Sequence, residues 1–200
     1  LGKIVERVSG KRLNDVARQE IFEPIGMHRT MFLPPDSLRP IIAPTEIDTQ
    51  WRKRLLQGEV HDETASLLGG VSGHAGLFST ASDLGQFAEM LLHLGGLPDT
   101  QLFKPQTVVA FTSRSHPRDT RALGWDLRTV TGSSSGHYFS MQSYGHTGFT
   151  GTSVWIDPTA DIYVIFLTNR VHPTRSNTAL PRFRSQLHDA IREAISAMNL

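Results

Sequence analysis

The sequence contains no cysteine among its 200 residues. Disulfide bonds, Cys-ligated zinc and thiol nucleophiles are therefore excluded, whereas an oxidising and a reducing compartment both stay possible. It also lacks a run of 18 apolar residues, the least that a membrane-spanning helix needs. An excess of one sign of charge is missing as well, since 20 basic and 19 acidic residues give a formal net charge of +1. We therefore expect no nucleic acid and no anionic membrane as a partner.

Apolar residues at helical spacing predict several helices. The clearest begins near Thr80, which is a suitable N-cap with Asp83 at the capping-box position. Other helices are predicted over residues 1–10, from a cap at Asn14 to about residue 26, and after Pro105. A helix near the C-terminus is predicted from one apolar face that comprises Leu187, Ala190, Ile191, Ala194, Ile195 and Met198.

Segments rich in β-branched and aromatic residues predict strands within 122–130, 143–148, 152–157 and 161–169. Pro158-Thr159-Ala160 separates the last two and suits an antiparallel hairpin. The run from Ile162 to Leu167 is apolar on both faces, which predicts a central strand. The proline-rich residues 27–58 predict a long surface loop with short extended pieces. We expect an α+β fold in which an antiparallel sheet is flanked by helices.

The segment YGHTGFTGTSVWIDP, residues 144–158, carries the sharpest chemical signal. It resembles the Lys/His-Thr-Gly third motif of the penicillin-recognising serine hydrolases, which lies on a strand at a sheet edge. The resemblance continues through GKIVERVSGKRL, EPIGM, GGVSGHAGLFSTASDLGQFAEML, LGW and FLTNR in the same order. The chain thus resembles penicillin-binding proteins and class C β-lactamases, and most of all the low-molecular-mass penicillin-binding proteins and related esterases with VHD-x-x-A before GGVSGHAGLFS.

This resemblance implies a role for each residue of the third motif. His146 and Thr147 would hold the carboxylate of a substrate, and Gly148 would let the substrate backbone approach the strand. Phe149 would offer its backbone N–H as half of an oxyanion hole. His146 stands where Lys is commoner, and an imidazole loses its charge near neutral pH. We therefore expect carboxylate binding that depends on pH.

Two further residues complete the predicted substrate-binding set. Tyr144 opens the motif, and Asn169 follows the last predicted strand. For Asn169, an ordinary turn at the end of a strand explains the residue equally well.

The family motifs Ser-x-x-Lys and Tyr-x-Asn are both absent. No serine of the sequence is followed three positions later by Lys, and none of Tyr138, Tyr144 or Tyr163 is followed two positions later by Asn. We therefore expect residues 1–200 to be the C-terminal part of one β-lactamase-like domain, which needs an upstream part of the same protein to complete its site. The chain alone is expected to be inactive. The resemblance also favours the periplasm or the cell envelope as its location.

Two function classes follow from the resemblance. In the first, the intact protein forms an acyl-enzyme on an upstream serine and hydrolyses a β-lactam, a D-alanyl peptide or a small ester. In the second, the same fold has lost catalysis and only binds peptidoglycan-like or ester ligands. No cofactor is expected in either case.

Other groupings of polar residues favour structural explanations. His61, Asp62, Glu63 and His74 lack the helical His-x-x-x-His spacing of a zinc site, so we expect no metal there. Residues 132–136, GSSSG, match G-x-S-x-G, but no strand-to-helix pattern surrounds them, and a flexible hairpin loop is expected.

Overall fold

The structure is a computed structural model that describes residues 1–198. Its chain divides into two compact units. The first unit comprises residues 1–87 and 169–176, and the second comprises residues 88–168 and the chain from residue 177 onward. No helix in the described part of the chain combines the length and the apolar character that a membrane crossing requires.

The first unit consists of short elements joined by long loops. Its helices are α1 (Gly2–Ser9), α2 (Leu13–Ala17) and α3 (Glu63–Leu67), and its strands form the antiparallel pairs β1 (Met31–Phe32) with β4 (Leu77–Phe78) and β2 (Ile47–Asp48) with β3 (Arg54–Leu55). A 3₁₀ turn covers Asp36–Ile41. The predicted loop with short extended pieces is thus confirmed.

The first two predicted helices form, with one correction. Gly10 ends α1 in the left-handed conformation at φ 70°, as expected of a C-terminal glycine. α2 passes into a π-helical turn (Arg18–Phe22) and a 3₁₀ turn (Glu23–Ile25), and the run ends at Gly26. The prediction of Asn14 as the cap is wrong, because Arg12 precedes the first helical residue and makes no side-chain cap bond.

Helix α4 (Ala81–Leu92) begins where the capping pattern predicts. Thr80 Oγ1 accepts a hydrogen bond from the backbone N–H of Asp83 at 3.2 Å. The Asp83 carboxylate also accepts hydrogen bonds from the backbone N–H of Arg29 at 2.7 Å and from Thr30 Oγ1 at 2.8 Å. One aspartate therefore ties a distant loop to the start of this helix.

The second unit contains a four-stranded antiparallel sheet in the order β10-β9-β8-β7. Its strands are β7 (Asp126–Leu127), β8 (Tyr144–Thr147), β9 (Ser153–Asp157) and β10 (Ile162–Phe166). A small hairpin joins β5 (Gly96–Leu97) to β6 (Thr100–Gln101), and the helices are α5 (Pro105–Thr112) and α6 (Leu180–Met198). The predicted α+β fold and the β9–β10 hairpin are confirmed.

The prediction that Ile162 to Leu167 forms a central strand is wrong for the described sheet. Within residues 1–198, β10 pairs with β9 alone, and its residues are half-buried. One face is covered, since the rings of Phe166 and Phe183 on α6 lie 6.0 Å apart between centroids. Apolar residues on both faces indicate cover above and below a strand, but they carry no information about its lateral neighbours.

Helix α6 forms as predicted, but its buried face is not the predicted one. The buried residues are Leu180, Arg184 and His188. Of the predicted apolar face, Ala190, Ala194 and Met198 are exposed and Leu187, Ile191 and Ile195 are half-buried. The hydropathy pattern misplaced the face because two of its three buried residues are polar.

Candidate active site

The strand that carries His146 and Thr147 is paired differently along its length. β8 pairs with β9 at all four of its residues, from Tyr144↔Ile156 to Thr147↔Ser153. It pairs with β7 only at Tyr144 and Gly145. In the described sheet, His146 and Thr147 therefore lie at an edge, as predicted for a motif that a substrate approaches from the side.

The first half of β8, Tyr144 and Gly145, is buried and paired with a strand on each side. Tyr144 is buried, and its ring meets Trp125 edge to face with centroids 5.3 Å apart. Burial raises the pKa of Tyr144 to about 12, so its phenol stays protonated at neutral pH. A Cβ atom at Gly145 would collide with the ring of Trp155, so only glycine fits beneath that indole. The predicted substrate contact of Tyr144 stays a prediction beside this packing role.

The second half of β8 presents polar groups. The His146 side chain is exposed, and its Nδ1 donates a hydrogen bond to the Thr147 carbonyl oxygen at 2.9 Å. In a neutral ring, Nε2 would then carry the lone pair and could only accept a hydrogen bond. Donation from Nε2 to a carboxylate requires the protonated ring, which is the physical basis of the predicted pH dependence.

The turn after β8 is held by its own backbone. Gly148 N–H donates to the Thr152 carbonyl oxygen at 2.7 Å, and Gly151 N–H donates to the Gly148 carbonyl oxygen at 3.1 Å. A Cβ atom at Gly148 would collide with Thr152 Oγ1, so the turn requires glycine there for space. Phe149 lies at this turn with an exposed side chain.

A comparison with known families decides the family of the chain, because residues 1–189 match the family model described as Beta-lactamase. The chain belongs to the β-lactamase family. This family consists of serine hydrolases of the β-lactamase and penicillin-binding-protein type.

Curated relatives and solved structures agree with the family. An Escherichia coli (strain K12) protein named "Putative D-alanyl-D-alanine carboxypeptidase" is 39% identical over 188 residues, which are 86% of this chain and 43% of that protein. A penicillin-binding protein homolog from Caulobacter crescentus superposes with a TM-score of 0.63 at 20% identity, over 92% of this chain and 53% of that one. A family VIII carboxylesterase superposes with a TM-score of 0.63 at 16% identity, over 94% of this chain and 54% of that one. The chain thus spans less than half the length of the curated relative.

The predicted site residues of this β-lactamase-family chain do not all belong to the same compact unit. His146, Thr147, Gly148 and Phe149 are consecutive in the second unit, whereas Asn169 belongs to the first. The Asn169 amide donates to the Pro44 carbonyl oxygen, and its Oδ1 accepts from Val171 N–H at 3.2 Å. These bonds give Asn169 a role in loop structure, and its contact with substrate stays a prediction.

The two histidines of residues 61–74 form hydrogen bonds with different carboxylates. His61 Nε2 lies 3.0 Å from Glu46 Oε2, and His74 Nε2 lies 2.9 Å from Asp62 Oδ1. Asp62 also caps α3, because its Oδ1 accepts from Ala65 N–H at 2.7 Å. In the part of the chain that the structure describes, no group of three or more His, Asp or Glu side chains could hold a metal ion.

The GSSSG segment forms a loop as predicted, with Gly132 exposed, but Ser135 and Gly136 are buried against the core. Ser134 Oγ accepts a hydrogen bond from Trp155 Nε1 at 3.0 Å, and Ser135 is fully buried with its Oγ 2.8 Å from Ser133 Oγ. Among the described residues, no strand leads directly into this segment and no helix begins directly after it, so no nucleophile elbow forms. Ser and Gly are typical of exposed loops, but a buried indole N–H needs an acceptor, and Ser134 provides it for Trp155.

Two buried polar residues of α6 were missed by sequence reasoning. Arg184 Nη2 donates to the Thr152 carbonyl oxygen at 2.8 Å, and His188 Nδ1 donates to the Ser134 carbonyl oxygen at 2.8 Å. Burial lowers the pKa of His188, which favours the neutral ring. Their spacing from Leu180, at i+4 and i+8 on one helical face, was the signal that could have revealed them.

Proposed function

We propose that this chain supplies the third motif and the substrate-side wall of an acyl-transfer site in a serine hydrolase. The observation that carries the proposal is the half-open β8 strand, where His146 and Thr147 lie at the sheet edge and are followed by a fixed turn at Gly148. The nucleophile would come from an upstream segment, since Ser-x-x-Lys and Tyr-x-Asn do not occur in these 200 residues.

The proposed chemistry is a two-step acyl transfer. The upstream serine oxygen adds to the substrate carbonyl carbon and gives up its proton to a base. The resulting oxyanion then collapses, and the bond to the leaving amine or alcohol breaks as that group takes up a proton. Water releases the acyl group as an acid in the second step. The Phe149 N–H would bind the oxyanion, and one such donor contributes about 3 to 4 kcal/mol.

The substrate is proposed to be a D-alanyl peptide, a β-lactam or a small ester. The name of the Escherichia coli relative supports the peptide, while the carboxylesterase shares only the fold. His146 and Thr147 would bind the free carboxylate that a D-alanyl peptide and many β-lactams carry. A pocket for esters without a carboxylate would depend less on these two side chains.

A second candidate is a non-catalytic binding module of the same fold. It would share the His146 and Thr147 edge with the enzyme and differ from it only upstream of Leu1, where Ser-x-x-Lys and Tyr-x-Asn would be missing. Sequencing the gene upstream of Leu1 separates the two candidates. Ser-x-x-Lys and Tyr-x-Asn at family spacing support the enzyme, and an upstream region without them supports the module.

The isolated chain is expected to show no turnover. It can be incubated with a chromogenic β-lactam and with an activated ester, alongside the protein that carries its upstream segment. Turnover by the 200-residue chain that a serine-acylating reagent abolishes would contradict the assignment of the nucleophile to an upstream residue.

Substitutions in the longer protein test the roles within the motif. Thr147→Val removes a hydrogen bond to a charged group, which should lower kcat/KM by about 10- to 100-fold. Phe149→Leu should have a far smaller effect because it retains the backbone N–H. His146→Lys should flatten the dependence of kcat/KM on pH between about pH 5.5 and 9. A harmless Thr147→Val together with an inactive Phe149→Leu would show that the pocket is organised differently.

A further inference from the structure

Arg184 is a buried cation directly behind the turn of the third motif. It lies on α6, and its side chain is only 6% exposed. Its Nη2 donates to the carbonyl oxygen of Thr152 at 2.8 Å and, more weakly, to that of Gly148 at 3.4 Å. One guanidinium nitrogen therefore bridges the two ends of the turn that contains Phe149.

The Gly148 carbonyl belongs to the same peptide unit as the Phe149 N–H. This bond is trans, since the one cis peptide bond among the described residues is His172-Pro173. In a planar trans peptide the C=O and N–H groups point in opposite directions. The Gly148 carbonyl oxygen accepts from Gly151 N–H within the turn at 3.1 Å and from Arg184 Nη2 at 3.4 Å, and the second bond favours the orientation in which the Phe149 N–H points away from α6.

A cation on the carbonyl side also changes the donor strength of the N–H. Hydrogen bonds from a charged donor are roughly twice as strong as neutral ones. Polarisation along a hydrogen-bonded chain strengthens the next bond by about 10 to 30%. The Arg184 guanidinium polarises the Gly148–Phe149 peptide so that its N–H becomes more positive.

We infer that Arg184 is a positioning residue for the oxyanion hole. It fixes the peptide plane between Gly148 and Phe149 and strengthens the Phe149 N–H as a donor to the oxyanion. This inference rests on the proposed function and names a residue outside the motif on which that function depends. Arg184 itself touches neither the substrate nor the reacting atoms.

A purely structural Arg184 would behave differently. If it served only to fill the space between α6 and the sheet, its replacement would lower stability and leave the acyl carbonyl unaffected. A positioning residue changes the oxyanion hole even in a variant that folds fully. Arg182 provides a matched control, because it lies on the same helix two residues away and is exposed.

The experiment compares Arg184→Lys, Arg184→Met, Arg182→Lys and Arg182→Met in the protein with its upstream segment. Lys keeps the charge but not the flat guanidinium, so Arg184→Lys should lower kcat about fivefold and Arg184→Met about 30-fold, each with KM within about twofold. The infrared carbonyl stretch of the acyl-enzyme should shift to higher frequency in both Arg184 variants, because the oxyanion hole polarises that carbonyl less. The Arg182 variants should match the parent in all three measurements.

Several results would overturn the inference. Should Arg184→Met fail to fold, Arg184→Lys decides the question: an unchanged carbonyl frequency with kcat within twofold of the parent refutes the positioning role. A parent that forms no acyl-enzyme refutes the proposed function instead. In that case amide exchange still tests the positioning itself, since the N–H groups of Gly148 and Gly151 should exchange faster in Arg184→Lys than in Arg182→Lys. Equal exchange in the two variants would refute it.

Discussion

Different interactions stabilise the interior of each of the two compact units. In the first unit, buried carboxylates organise the loops: Asp48 accepts backbone N–H bonds from Gln50, Trp51 and Arg52, and Glu46 binds the guanidinium of Arg175. In the second unit, the sheet satisfies its own backbone, and aromatic side chains fill the space against α6 and the adjacent loop. Where the second unit has loops it also uses a carboxylate, because the buried Asp157 accepts backbone N–H bonds from Ser140, Thr159 and Ala160. The difference between the units therefore follows the amount of regular structure in each.

The physical reason is the demand of buried backbone groups for partners. A strand in a ladder satisfies its N–H and C=O groups with its neighbours, so its side chains can be apolar. A loop has no such ladder, and short polar side chains must accept its N–H groups. Loss of apolar volume next to the sheet should therefore harm the second unit, and loss of a carboxylate that holds a loop should harm the first.

The largest effect is expected at Trp155, which is 1% exposed in the second unit. Trp155→Ala should lower the free energy of unfolding by about 4 kcal/mol, because it leaves a cavity over Gly145 and removes the donor to Ser134. Trp51 in the first unit is 46% exposed and stacks with Arg52, so Trp51→Ala should cost about 1 kcal/mol or less. Chemical denaturation measures both, and equal losses would remove the contrast between the units.

A smaller loss is expected at Glu46 in the first unit. Glu46→Gln removes the buried carboxylate that binds Arg175 and should cost about 2 kcal/mol, since Arg175 is 43% exposed and keeps its bond to Glu63. The control is Glu59→Gln, which breaks the more exposed pair with Arg54 and should cost less than about 1 kcal/mol. Similar costs for the two variants would show that burial of the ion pair does not matter here.

Acid titration tests the same carboxylate in another way. The Arg175 guanidinium lowers the pKa of Glu46 to about 2, below the ordinary value of 4.5. The unfolded chain therefore binds the proton more readily, and the stabilisation is complete above pH 4.5 and is lost as the pH falls toward 2. Glu46→Gln should reduce the steepness of the stability curve in this window. An unchanged curve would mean that other carboxylates dominate acid unfolding.

The smallest effect is expected at His188 in the second unit. Burial lowers its pKa from the ordinary 6.5, so the unfolded chain binds the proton first and stability falls as the pH drops below 6.5. His188→Gln should flatten the stability curve below about pH 6.5. A variant that keeps the pH dependence of the parent would contradict the buried neutral ring.

Local patterns account for the predictions that succeeded. The Thr80 cap, the glycines that end α1 and the turn at Gly26, and the turn at Pro158 act over a few residues, so the sequence carries their full physical cause. The edge position of β10 and the buried polar face of α6 were missed because both depend on residues distant in the chain. The same limit applies to GSSSG, whose burial depends on Trp155 and His188.

The sequence by itself determined the family, and it predicted the strand on which the structure places His146 and Thr147. Only the tertiary structure decided that this strand is paired on both sides at Tyr144 and open at His146, since the length of β7 sets that boundary. It also decided that Arg184 lies behind the turn and that Asn169 belongs to the other unit. Such contacts join residues far apart in sequence, and their energies depend on burial and direction that no local pattern encodes.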